Sequence, residues 1–176
     1  MLQHRSLLLM ISSIALLYIL ASCQSRNELI ESVSSSHLAE EHLHGVTPGM
    51  VIEEVQEISS LADFRPGPDV SEQPSSDGKV YINERLTLHT QADDQRIKEV
   101  VTQAERSNPV ASSEGIHIGD TFNDVRKVYG ESCFTYMHDE TNRREIGYID
   151  REHKLQLSFF ATDGELVDKI RLRKYS

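Results

Sequence analysis

Histidine and glutamate side chains lie close together in one polar stretch near the start of the chain. The stretch SVSSSHLAEEHLHG contains His37, His42 and His44, with Glu40 and Glu41 between them. Imidazole and carboxylate groups are ligands that zinc and similar borderline cations accept. The stretch lacks the apolar content of a core element and therefore a rigid frame. A metal site and a solvated linker both remain open, and the composition favours the linker.

Cys133 is the second of the two cysteines in the chain. An inert, buried thiol is the favoured interpretation, and a mixed disulfide or a redox role is the alternative. A nucleophilic thiolate needs a neighbouring base and a positive environment. His138 follows five residues later, but proximity in sequence does not build a catalytic pair.

Two pairs of adjacent carboxylates are the remaining candidates for acid–base chemistry. Asp93 precedes Asp94, and Asp139 precedes Glu140, and both pairs fall near predicted turns. Solvated turn residues are the simpler explanation for both pairs. The motifs GxSxG, HExxH and CxxC do not occur in the sequence. The sequence therefore predicts neither an enzyme nor a resident cofactor.

The N-terminal residues have the layout of a secretory signal peptide. A short polar start contains His4 and Arg5, and an apolar run follows from Leu7 to Ala21. This run is too short and too close to the terminus for an ordinary transmembrane helix. It ends in LASC, which resembles the bacterial lipobox. An ordinary signal peptide with a chance cysteine is the alternative.

The lipobox resemblance implies a lipid anchor on Cys23. It implies attachment of diacylglycerol to the thiol, removal of residues 1–22 and acylation of the new amino group. More than one acyl chain gives stable membrane attachment. The residue directly after the cysteine is Gln24 and not Asp. By similarity to enterobacterial sorting, this favours the outer membrane of the cell envelope, with the protein facing the periplasm.

The chain that would remain after removal of residues 1–22 is strongly acidic. The full sequence has 18 basic and 28 acidic residues, and loss of Arg5 leaves 17 against 28, a formal charge of −11. Nucleic acids and anionic lipid surfaces bind through clustered Lys and Arg. The charge therefore argues against both as partners and is typical of solubility in the periplasm.

Two similar units follow a predicted lipidated, flexible tether at residues 23–44. The units cover residues 45–105 and 106–176. GVTPGMVIEEVQEI begins at Gly45, and GIHIGDTFNDVRKV begins seventy residues later at Gly115. Matches of glycine and apolar positions at both ends of the two units indicate an internal repeat.

Each unit is predicted to contain a short helix, over Met50–Ile58 or Thr121–Tyr129, and then three or four antiparallel strands. Because one unit has little apolar surface to bury, the two should share a core. The predicted fold class is therefore α+β, with two tandem repeats of a short helix followed by an antiparallel β-meander. The predicted core positions of the strand regions are Leu86, Leu88, Ile97, Val100, Leu155, Leu157, Val167 and Ile170.

Helix capping explains the stretch GIHIGDTFNDVRKVYG. Asp120 or Thr121 can accept a hydrogen bond from an unpaired helix amide, and Asp124 completes a weak capping box. Gly130 follows the last apolar pair, where a left-handed residue ends a helix. A phosphate-binding loop would need more glycines and a lysine in the loop.

The same stretch, with SNPVASSE before it and Cys133 just after it, is similar to the C-terminal half of the RpoE-regulated lipoprotein family of enterobacteria. That family pairs a lipobox with a two-part α+β domain and has no established biochemical activity. More distantly, the helix-and-meander unit resembles the small β-barrel-assembly lipoproteins and the tandem-repeat β-lactamase inhibitor proteins. The resemblance to these two groups implies action by contact with other proteins.

These features predict a membrane-anchored envelope lipoprotein that acts as a non-catalytic protein-binding, assembly or stress-related module. An envelope enzyme or a small-ligand sensor of unknown specificity is the alternative. The predicted contact surface is the sheet face opposite the helices, because that face should meet water. It would present Gln156, Ser158, Arg171 and Arg173, and the two arginines would steer an acidic partner. Ordinary solvated strand residues are the simpler explanation.

Replacement of Cys23 by Ser should abolish lipid attachment, because the hydroxyl cannot take the place of the thiol in a lipobox. Cells expressing Cys23→Ser should incorporate no fatty-acid analogue into the protein, and the protein should leave the membrane fraction. Cys133→Ser is the matched control and should keep both properties. Labelling and membrane retention of the Cys23→Ser protein would contradict the lipoprotein interpretation.

Overall fold

The computed structural model describes residues 25–58, 63–67, 78–103, 111–162 and 164–175. The chain divides into two compact units, Met1–Ser32 and Val33–Ser176. The described part of the first unit is helix α1 (Arg26–Ser32), which begins with a reciprocal Ser25–Glu28 cap. Among the described residues, no helix has the length and apolar content needed to cross a bilayer. Cys23 and the predicted signal peptide lie outside these residues.

The described part of the second unit is built on an antiparallel sheet of eight strands. Their order across the sheet is β1-β2-β3-β4-β8-β7-β6-β5. β4 and β8 are therefore neighbours in the middle, with Val100 opposite Leu172. The strands are β1 (Arg65–Pro66), β2 (Val80–Ile82), β3 (Thr87–Thr90), β4 (Ile97–Gln103), β5 (Phe134–His138), β6 (Arg143–Asp150), β7 (Leu155–Ala161) and β8 (Lys169–Lys174).

The predicted α+β fold with two tandem helix–strand repeats is wrong, because the protein is mainly β. The helices described in the second unit are short: α2 (Ile52–Glu57) has six residues and α3 (Phe122–Tyr129) has eight. The pairing of β4 with β8 joins all the strands into one sheet. This pairing brings together residues far apart in the sequence, so the pattern within either half does not reveal it.

The hydrophobic core lies between α2 and α3 and one face of the sheet. Phe122 and Val125 of α3 are fully buried in it, and the ring of Tyr129 packs against those of Tyr148 and Phe159. The predicted burial of eight core positions is confirmed, since each is at most 5% exposed. They are Leu86, Leu88, Ile97, Val100, Leu155, Leu157, Val167 and Ile170.

Helix α3 begins and ends where the sequence predicts. The Thr121 hydroxyl accepts a hydrogen bond from the Asp124 amide at 3.1 Å, and the Asp124 carboxylate accepts one from the Thr121 amide at 3.3 Å. Gly130 follows the helix with a φ of 88°, which side chains disfavour. The segment before α3 is tied to the chain before β8, because the Gly119 amide donates to the Val167 carbonyl at 2.8 Å. Capping thus fixes α3 over the core.

Residues 36–43 differ from the predicted flexible tether, because they pack against the sheet. The Ser36 amide donates to the Ile149 carbonyl at 2.7 Å, and the Leu38 amide donates to the Asp150 carboxylate at 2.8 Å. Leu38 and Leu43 belong to the hydrophobic core and are 2% and 0% exposed. Each buried leucine contributes about 1.5–3 kcal/mol, so two of them hold a segment that is otherwise polar.

The sheet face opposite α2 and α3, called the outer face below, is buried at its centre. Phe134 on β5 lies opposite Gly147 on β6, and a Cβ atom at Gly147 would overlap the Phe134 ring. A glycine is needed there because the ring approaches the backbone so closely. Phe134, Ile149 and Phe160 are each at most 3% exposed. The outer face therefore has an apolar layer of its own.

Replacement of Gly147 by Ala should destabilise the protein by about 1–3 kcal/mol, because the added methyl group overpacks the site against Phe134. The measurement is the free energy of unfolding in urea. Phe134→Leu in the same chain should relieve the overlap, so the double variant should lose less stability than the two single variants together. Strictly additive losses would show that the Phe134 ring does not lie over Gly147.

Candidate functional site

Polar side chains from four strands meet on the outer face between β5 and β8. Residues directly opposite one another on neighbouring strands share a face. The register sets Glu145 opposite both Tyr136 and Phe160, and Ser158 opposite Arg171. We name the group of polar side chains on this face the Glu145 cluster. Its members are His138, Glu145, Gln156, Ser158, Arg171 and Arg173.

Glu145 is the centre of the cluster, and its side chain is 0% exposed. One carboxylate oxygen, Oε2, lies 2.7 Å from His138 Nε2. The other, Oε1, accepts hydrogen bonds from an Arg171 guanidinium nitrogen and from Gln156 Nε2, each at 3.2 Å. A carboxylate is buried at acceptable cost only when it is paired and hydrogen-bonded. The three partners meet that requirement from three different strands.

Gln156 extends the cluster from Glu145 to the second arginine. Its Nε2 also donates to the Ser158 hydroxyl at 2.8 Å. Its Oε1 accepts from two nitrogens of the Arg173 guanidinium, at 3.1 and 2.8 Å. The Arg173 side chain is therefore held in one orientation by a neutral amide.

Phe160 lies beneath the cationic side chains of the outer face. The Arg171 guanidinium carbon is 4.8 Å from the centroid of the Phe160 ring, and the Lys169 ammonium is 4.9 Å from it. Cations at this distance from an aromatic face are attracted by its electron density. Burial, and next the charge of Arg171, lower the pKa of Lys169. Positive charge is thus concentrated around one aromatic ring.

The chemistry that this arrangement supports is electrostatic. Ser158 is 0% exposed and its hydroxyl is bonded to Gln156, so a substrate cannot reach it as a nucleophile. The side chain of His138 is 30% exposed and is already bonded to Glu145. The positively charged groups on this face are those of Arg171 and Arg173 in the cluster and of the neighbouring Lys169, and the Phe160 ring lies beneath Lys169 and Arg171.

The predicted contact residues all lie on the outer face, but they differ in exposure. Gln156 and Ser158 are 1% and 0% exposed, so the prediction that they meet solvent is wrong. They are buried because the neighbouring arginines and Glu145 lie against them. Arg171, whose side chain is 16% exposed, and Arg173 remain at the surface as parts of a bonded network.

The three histidines predicted as alternative metal ligands do not come together. The amide of Gly45 donates to His42 Nδ1 at 3.1 Å, and His44 Nε2 lies 2.7 Å from an Arg85 guanidinium nitrogen. Burial, followed by the charge of Arg85, lowers the pKa of His44. The nitrogens of His42 and His44 have separate partners, and among the described residues neither of them is grouped with His37 as a potential metal ligand.

The other predicted chemical groups have ordinary surroundings. Cys133 is a free thiol packed against the hydrophobic core, and it is half-buried where the favoured interpretation has it buried. Asp93, Asp94, Asp139 and Glu140 are exposed turn residues, as the sequence predicts.

Sequence reasoning missed Glu145, His138 and Lys169 as parts of the site. The available signal was the two-residue period, because Lys169 stands two positions before Arg171 and must share its face. No comparable signal connects His138 to Glu145, since their contact depends on the register of the β5–β6 hairpin.

Comparisons of the chain with models of known protein families, with curated proteins and with solved structures find no match.

Proposed function

We propose that the chain is a lipid-anchored protein of the bacterial envelope that binds an acidic segment of another envelope protein on its outer face, without catalysis. The lipobox at Cys23 supports the anchor. The observation that carries the partner proposal is the group of cations on the outer face of a protein with a net charge of −10. These cations belong to Arg143, Lys169, Arg171 and Arg173.

Carboxylates of the protein lie among the cations of this face, and Glu99 on β4 stands opposite Arg173. Arg171 is paired with Glu145 at 3.2 Å, and Arg143 is paired with Asp168 at 3.4 Å. Burial is the largest cause that lowers the pKa of Lys169, and the charges around it act in both directions: Arg171 and Arg143 lower the pKa, and Glu99 and Glu145 raise it. A carboxylate from a partner would favour the charged form of Lys169.

The ordered arginines support a protein partner, and the buried Phe160 ring supports Arg171 from beneath. Arginine and aromatic residues carry much of the binding energy in protein interfaces when they are held in place. The Arg173 guanidinium is fixed by Gln156, and the Arg171 guanidinium is fixed by Glu145 and Phe160. Their prior ordering lowers the entropy that binding costs. A partner would therefore meet a rigid surface.

The sign of the charge also suits an acidic partner. A positive patch on an acidic protein steers oppositely charged segments and fixes their orientation, and added salt weakens it. Binding at the outer face should therefore decrease as the ionic strength rises. This dependence separates the proposal from docking driven by apolar contact.

Neighbouring residues of β5 provide a test, since Tyr136 lies on the outer face and exposed Met137 on the opposite one. A photo-crosslinking amino acid at Tyr136 in the full-length lipoprotein in cells should capture an envelope protein. The same crosslinking amino acid at Met137 should capture no envelope protein. Lys169→Glu with Arg173→Glu should reduce the Tyr136 adduct at least about tenfold, because it removes the attraction that orients the partner.

The control for the charge reversal is Lys127→Glu on α3, an exposed lysine on the other side of the sheet. Arg171 is kept in all variants, because its loss would disturb the buried Glu145. Equal adducts from Tyr136 and Met137, or a Tyr136 adduct that survives the reversal unchanged, would remove the outer face as the contact surface.

A further inference from the structure

Three potential metal ligands meet at the turn between β6 and β7. His37, Asp150 and His153 each offer one ligand atom, and these atoms lie within 4.8 Å of one another. The two imidazole rings are in edge-to-face contact, with centroids 5.9 Å apart. This group lies apart from the Glu145 cluster and is independent of the function proposed for it.

The backbone on both sides of His37 is fixed next to the hairpin. The Ser36 amide donates to the Ile149 carbonyl, and the Leu38 amide donates to Asp150 Oδ2. His37 stands between these two bonded residues. Its position relative to Asp150 is therefore set by the fold, which provides the rigid frame that a metal site requires.

The other two ligands are fixed by the turn itself. The His153 amide donates to Asp150 Oδ1 at 3.0 Å, and His153 Nδ1 lies 2.9 Å from Asp150 Oδ2. Asp150 is 1% exposed, whereas both histidines are exposed. A buried carboxylate thus forms the floor of the group, and two imidazoles form its solvent-facing rim.

The donor set and the spacing suit a zinc-type cation. Two imidazole nitrogens and one carboxylate oxygen are a set that zinc accepts, with a further position left for water or another ligand. Ligand atoms around tetrahedral zinc are about 2.0–2.2 Å from the ion and so roughly 3.5 Å from one another. Rotation of the exposed imidazoles can close the remaining distance of roughly 1 Å.

We propose that His37, Asp150 and His153 form a binding site for a zinc-type divalent cation, with at least one coordination position open to solvent. The ion takes the place of the hydrogen bond between His153 Nδ1 and Asp150 Oδ2, and any proton on the displaced nitrogen is released to solvent. It also links the segment around His37 to the β6–β7 hairpin through a direct metal bridge.

The test is a calorimetric titration with zinc chloride. The full-length protein is first freed of metals with a chelator and is then titrated in detergent micelles. One zinc ion per chain should bind. His37→Gln should weaken binding at least about tenfold through loss of one ligand, and His153→Gln should do the same. X-ray absorption of the zinc-loaded protein should show two imidazoles around the ion.

Two matched variants control for other histidines. His42→Gln changes the same segment, and His117→Gln changes an exposed histidine that lies 3.8 Å from Asp120. Both should bind zinc as the unchanged protein does. Because His37 is exposed, His37→Gln should keep the fold, which circular dichroism checks. Absence of saturable zinc binding, or equal affinity of the His37→Gln variant and the unchanged protein, would overturn the proposal.

Discussion

Burial of the Glu145 carboxylate is the constraint on which the outer face depends. A carboxylate without exposure to water must be compensated by partners that are themselves held in place. His138, Gln156 and Arg171 provide that compensation from β5, β7 and β8. Backbone hydrogen bonds join each of these strands only to its direct neighbours. The side chain of Glu145, on β6, forms contacts with the other three strands, and so one buried charge connects all four.

The same constraint determines which charges are available to a partner. Arg171 is committed to Glu145 and to the Phe160 ring, and Arg173 is committed to Gln156. These arginines present ordered positive surfaces, while burial, and next the charge of Arg171, lower the pKa of the half-buried Lys169. The proposal of an acidic partner depends on this geometry, and the proposed location in the envelope depends on the resemblance of the sequence around Cys23 to a lipobox.

The sequence predicts local features well and non-local ones poorly. The Thr121 cap and the core positions follow from residue type and period, because those interactions join residues close in the chain or repeat regularly. The mainly β architecture was missed because the helices of the second unit, at six and eight residues, add little to the eight strands. The single sheet was missed because β4 and β8 pair across a long sequence separation. The burial of Gln156 and the contact of His37 with the β6–β7 turn were missed for the same reason.

The most direct test of this account is a double-mutant cycle between Glu145 and Arg171, measured as free energies of unfolding in urea. Glu145→Gln, Arg171→Met and the double variant are compared with the unchanged protein. Because either single change leaves a partner uncompensated, the account predicts a coupling energy of about 1 kcal/mol or more. If the losses in free energy of unfolding of the two single variants add up to that of the double variant within about 0.5 kcal/mol, the claim that the buried carboxylate organises the outer face is contradicted.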